Sequence, residues 1–168
     1  MNKALNRLCS VQVDHDDVRA NREVKIELET AVSDLLADSY FELVGGETGP
    51  YRLVISTRAS RLAFHVADVD GIPLVSHLMS LSPLREVIRT YVSICEAHYE
   101  AAGKGNTRRL EAIDMGRRAA HNEASELLRE RLAAKVRTDL NTARRLFTII
   151  AACRVGNALA LGFIPAEN

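Results

Sequence analysis

Between Tyr51 and Leu81 apolar residues alternate with polar ones; from Leu84 onward they recur every three or four residues. The first period is that of strands with one buried face, the second that of amphipathic helices. The switch falls at Ser82-Pro83, where Ser is expected to cap a helix and Pro is tolerated in the first turn. A chain patterned in this order builds a sheet and then covers it with helices, which predicts the α+β class.

The strand half carries its own register. Leu62, Phe64 and Val66 point one way, and Arg61, Ala63, His65 and Ala67 the other. Asp70-Gly71 is a strong hairpin signal. A two-residue turn there sets Val69 opposite Ile72, Val66 opposite Val75, Phe64 opposite His77 and Leu62 opposite Met79. Pro73 cannot donate to a ladder, so its strand, from Ile72 to Leu81, is expected at an edge. Upstream, Val11-Gln12-Val13 reads as a short strand. Val24, Leu28, Ala31, Val32 and Leu35 predict a helix over 22–38 with Asn21 as N-cap. Phe41 to Val44 reads as another strand, ended by the glycine-rich Gly45–Pro50. That loop lacks phosphate-cradle spacing and precedes a strand, so a plain hairpin loop is expected.

In the helical half, the first helix runs to about Ala102, with Leu84, Ile88, Tyr91, Cys95 and His98 on one stripe. Gly103–Asn106 breaks it. Thr107 is expected to cap a long helix reaching about Arg137, and Thr138-Asp139 a last one with Leu140, Ala143, Phe147, Ile150 and Ala151 in line. The predicted architecture is a small antiparallel sheet with one early helix, packed against a C-terminal bundle of about three helices. A length of 168 residues suits a single domain. It divides into a mixed half (10–81), a helical half (82–155) and an apolar tail (156–168).

The long helix carries the candidate site. Its apolar stripe is Leu110, Ile113, Ala120, Ala124, Leu127 and Leu128, with Gly116 among them. Arg117 falls inside the stripe, and Asp114 and His121 lie on its edge. Charge on a burial face is costly unless paired, so it needs a cause. Asp114 can pair with Arg117 or Arg118, three and four residues on. Asp114 and His121 are about 10 Å apart along the axis, which rules out an Asp–His dyad within the helix. One reading is a polar network that fixes packing, with Gly116 admitting a close neighbour. The other is a binding face for an anionic ligand or acidic partner, made of Asp114, Arg117, Arg118, His121 and Asn122.

Three segments, GPYRLVIS, SHLMSLSPLREVIRTYVSICEAHYEA and EAIDMGRRAAHNEASELLRERL followed by DLNTARRLFTII, resemble a family of small bacterial proteins known only as uncharacterised protein family 0262. The resemblance covers most of residues 10–152. It implies a soluble bacterial protein, and it carries over no activity and no site residues. Members tend to end soon after the last helix, so Cys153 to Asn168 departs from the pattern.

Other function classes are weighed on residues. Residues 1–100 hold 10 Lys/Arg against 15 Asp/Glu (−5), and residues 101–168 hold 12 against 7 (+5). The doublets Arg108-Arg109, Arg117-Arg118 and Arg144-Arg145 admit nucleic acid, through a helix-turn-helix about Arg137–Asp139, but the last helix offers few polar side chains to read bases. Nucleic acid is therefore not favoured. Cys95 and His98 could begin a zinc site, yet His65 and His77 point to opposite faces of their hairpin and cannot complete it; no metal or cofactor is assigned. Asp14–Asp17 lacks the spacing of a calcium loop. No nucleophile motif is present, so no catalytic residue is assigned and the question of enzyme activity stays open. Cys9, Cys95 and Cys153 are unpaired in pattern and fit a cytoplasmic protein. No transmembrane span is expected from Leu146–Ile164, because Arg154 sits at its middle and Gly156 reads as a helix stop. The leading expectation is a non-enzymatic interaction or regulatory protein, forming a homodimer or binding another protein. An anionic-ligand binder or enzyme on the long helix is the alternative.

Overall fold

A computed structural model describes residues 2–15, 22–58 and 60–160, the side chains of 15, 23 and 155–160 aside. The predicted cap Asn21, the acids Asp16 and Asp17, and the tail from 161 lie outside the described residues. The order is β1 (Leu8–His15), α1 (Arg22–Ala37), β2 (Phe41–Leu43), β3 (Tyr51–Arg58), β4 (Arg61–Ala67), β5 (Pro73–Ser80), a 3-10 turn (Ser82–Leu84), α2 (Arg85–Gly103), α3 (Thr107–Leu132), β6 (Val136–Thr138) and α4 (Leu140–Ala160). The fold is α+β, as the change of period predicts.

The main sheet has the order β1-β3-β4-β5. β3, β4 and β5 run antiparallel, but β1 pairs with β3 in parallel, so the sheet is mixed rather than wholly antiparallel. α1 is the crossover that makes this direction available: a parallel neighbour needs a long connection. The register of β4 on β5 follows the predicted pairs, with Val66 on Val75, Phe64 on His77 and Leu62 on Met79. The turn does not. The ladder shifts after Val66, Ala67 pairs with Pro73, and the Asp68 amide closes the loop on the Ile72 carbonyl at 3.0 Å. The Asp68 carboxylate accepts from the amides of Asp70 and Ile72, a wider turn that leaves Val69 and Ile72 exposed outside the ladder. Pro73 sits at the start of β5, an edge strand.

Gly45–Pro50 is not a hairpin loop. β2 does not pair with β3; it pairs antiparallel with β6, ninety-odd residues later, in a separate two-stranded sheet. The loop carries the chain between sheets. Gly49 is needed there, because a Cβ would lie 2.6 Å from the Leu5 carbonyl oxygen.

Leu53, Ile55, Leu62, Phe64 and Val66 fill the inner face of the sheet at 0–1% exposure. The helices meet that face with Leu84 and Ile88, with Leu128 and Leu132 of α3, and with Leu146, Phe147, Ile149 and Ile150 of α4. α4 is buried nearly all round, and α1 and α3 pack against it while α2 packs on α3. Local ends differ from expectation. Ser82 is not a cap: it is the first residue of the 3-10 turn, neither that turn nor α2 has a side-chain cap, and the Ser82 amide donates to Ser80 Oγ at 3.1 Å. Asn106, not Thr107, caps α3 by accepting from the Arg109 amide at 3.1 Å. α3 stops at Leu132, because Val136–Thr138 is drawn into the ladder with β2. Asp139 caps α4 as expected, accepting from the Thr142 amide at 2.8 Å. α4 continues through Gly156, which is no helix stop. Among the described residues no helix is long and apolar enough to cross a membrane.

Candidate functional site

α1 and α3 flank α4, and a groove of about 400 Å³ opens between them with Tyr91 of α2 at its floor. α3 contributes Arg117, Arg118, His121 and Asn122, α4 contributes Arg145 and Thr148, and α1 contributes Glu27 and Asp34 among others. Four of the five candidate residues thus line one concavity. Asp114, the fifth, is not among the lining residues but holds two of them. It accepts from Arg117 Nη2 at 2.8 Å and from Arg118 Nη2 at 3.0 Å. The hydrogen bond from Arg117 and the charges of both arginines keep the Asp114 carboxyl below its usual range. The same bond raises the Arg117 guanidinium. The pairing at three and four residues is the one the spacing allows. Arg117 keeps 31% of its side chain exposed and Arg118 76%, so their remaining N–H groups face the groove and solvent rather than a core.

His121 is set differently. Its Nε2 lies 2.9 Å from Thr148 Oγ1. The Thr148 hydroxyl already donates to the Arg144 carbonyl at 3.0 Å, so its oxygen accepts and the imidazole carries its proton on Nε2. On the other side, Ser125 Oγ stands 3.4 Å from Nδ1 but donates to the His121 carbonyl at 2.6 Å. The ring packs edge-on against Tyr91 and Phe147, at centroid distances of 5.3 and 5.2 Å. Burial, then the positive charges of Arg117 and Arg144, push its pKa down from 6.5 to about 4. His121 is therefore neutral at neutral pH and donates from Nε2 within an aromatic wall. No contact joins it to Asp114, in keeping with the helix rise.

Gly116 does not admit a neighbour. It is exposed, and a Cβ there would meet nothing within 4 Å. Buried positions of α3 missed by the stripe are Ser125 and Leu132; Ser125 escapes notice because its hydroxyl is satisfied by the preceding turn.

Sequence reasoning also missed Arg145, Thr148, Glu27 and Asp34 as groove residues. Arg145 was legible only as half of a doublet. Its Nη1 donates to the Asp38 carbonyl at 2.7 Å and its Nε stands 3.8 Å from Asp34, tying α4 to α1. Arg144 donates to Asn122 at 2.9 Å and to Asn141 at 3.1 Å. Arg117-Arg118 and Arg144-Arg145 are thus engaged within the chain, and α3 and α4 are joined through β6 rather than by the short turn of a DNA reader. Burial raises the Cys95 thiol above its usual range. His65 bonds to Ser76 while His77 lies opposite Phe64, on the other face. Among the described residues no three His, Cys, Asp or Glu gather to hold a metal.

A family model described as Uncharacterised protein family (UPF0262) matches residues 5–155. Similar curated proteins include UPF0262 proteins of Rhizobium etli, 44% identical over 86% of this chain and 92% of that protein, of Methylobacterium radiotolerans, 47% identical over 86% and 91%, and of Caulobacter vibrioides, 45% identical over 89% and 94%. No solved structure matches.

Proposed function

The chain belongs to this uncharacterised bacterial family, UPF0262, and we propose that it is a non-enzymatic, cytoplasmic regulatory protein whose α1–α3–α4 groove receives an acidic group. One observation carries the reading: Arg117, Arg118, His121 and Asn122, spread along α3, line one groove with Arg145 across from them. Donors dominate that wall. Arg118, exposed over most of its side chain, can turn from Asp114 toward a carboxylate or phosphate, and Arg117 is pre-set by Asp114. Glu27 and Asp34 on the opposite wall favour a ligand with an acidic end and a neutral or cationic one. The non-enzymatic part is supported by His121, whose proton is committed to Thr148 and whose second nitrogen has little affinity for another.

A thermal-shift series with inorganic phosphate, pyrophosphate and citrate tests it. The expected result is stabilisation by at least one of them, lost in Arg117→Ala and weakened in Arg118→Ala. No shift with any of the three, or equal shifts in both variants, would sink the groove reading.

The protein also self-associates on this reading. The β4–β5 hairpin leaves Val69, Ile72 and Leu78 exposed at 45, 60 and 68%, apolar surface that association would cover.

A further inference from the structure

We infer that the free edge of β5 joins β5 of a second copy of this chain, antiparallel, making one continuous eight-stranded sheet. This rests on the self-association part of the proposed function and is independent of the groove.

Three observations converge on this edge. First, no acidic or basic side chain of its own guards it, and the nearest charge that acts on it is Lys135 beside His77. From Gly71 to Leu84 the chain has no Asp, Glu, Lys or Arg. Natural edge strands are usually guarded by such charges or by bulges that twist them away. Burial, then the charge of Lys135, hold His77, the one titratable group in the stretch, below the usual imidazole range, which disfavours its charged form. Proline guards only the first position of β5. An identical strand set antiparallel is therefore compatible with itself in charge, and a two-fold axis lets each copy give and take the same backbone hydrogen bonds.

Second, the core layer stops short of β5. The inner-face residues of β4, Leu62, Phe64 and Val66, are 0, 0 and 1% exposed. Their cross-strand partners Met79, His77 and Val75 are only half-buried. The inner layer is thus unfinished along this edge, and a neighbouring strand with its own inner-face residues would complete it.

Third, the outer face offers Leu78 at 68% exposure. In a continuous sheet, facing residues share a side, so only registers that keep inner with inner are allowed. The register centred on Ser76 satisfies this and sets Leu78 against Leu74 of the second copy. The opposite edge of the sheet is unlike this one. β1 carries Asp14, paired with Arg58 at 3.5 Å, and α1 packs against it.

The test uses the full chain. Light scattering after gel filtration, run over a dilution series, is expected to give a dimer for the wild type and for Leu36→Lys, an exposed position on α1, and a monomer for Leu78→Lys. Circular dichroism checks that each variant folds. Hydrogen exchange is expected to show the β5 amides that point away from β4 protected at high concentration and released on dilution. A wild-type monomer throughout would overturn both self-association and this surface. A dimer that survives Leu78→Lys with the edge-facing β5 amides unprotected would overturn the surface alone. A monomer in which the edge-facing β5 amides are nonetheless protected would place another segment of the same chain on the edge and overturn the proposal equally.

Discussion

His121 stays uncharged where a histidine on a helix surface would titrate, and the reason is its setting between two aromatic rings and two arginines. The consequence for stability has a definite sign. The unfolded chain takes up the proton near pH 6.5, the native one only near 4. The unfolded state therefore binds more protons between those values, and stability falls as pH drops through that window. His121→Phe keeps the aromatic packing and removes the titration. Denaturant melts at pH 7 and pH 4.5 are expected to show a smaller loss in the variant than in the wild type; an equal loss contradicts the neutral histidine. Gly116 makes the converse case. It looked like a contact glycine because it falls on the apolar stripe, but the stripe there faces open space. Gly116→Ala is expected to stabilise the protein by about 0.5–1 kcal/mol, the usual difference in a helix interior. Destabilisation in urea melts would mean that something does approach it.

Elements with a strong period were legible and their ends were not. The β4–β5 register was readable because Leu62, Phe64 and Val66 must share a face, and one slip would expose all three. α3 was readable for the same reason, yet its end was misplaced by five residues. Nothing local in Lys135-Val136-Arg137 distinguishes helix from strand; the choice is made by β2, far away in sequence. The parallel β1 was hidden likewise, since pairing partners leave no mark in a single strand's pattern. Caps turn on one side-chain geometry, so Asn106 and Thr107 were interchangeable on paper. Asn106→Ala is expected to cost about 1 kcal/mol in chemical denaturation. Thr107→Ala is expected to be nearly neutral, and the reverse ranking would contradict the assigned cap.

At the scale of the molecule, the groove exists because α1 and α3 stand on either side of α4 without filling the space between. The α3 wall could be read from sequence, since Arg117, Arg118, His121 and Asn122 share one helix. The other walls could not, since Glu27, Asp34, Arg145 and Thr148 come from elements whose docking is set by the buried faces of Leu35, Phe147 and Ile150. The proposed function stands or falls on whether an acidic ligand finds this concavity. An NMR titration of the isotope-labelled protein with pyrophosphate and with citrate measures that most directly. Saturable shifts centred on the amides of Arg117, Arg118, His121, Asn122 and Arg145 are predicted with at least one of the two. Shifts confined to Arg108 and Arg109, or scattered over the surface without saturation, would contradict it.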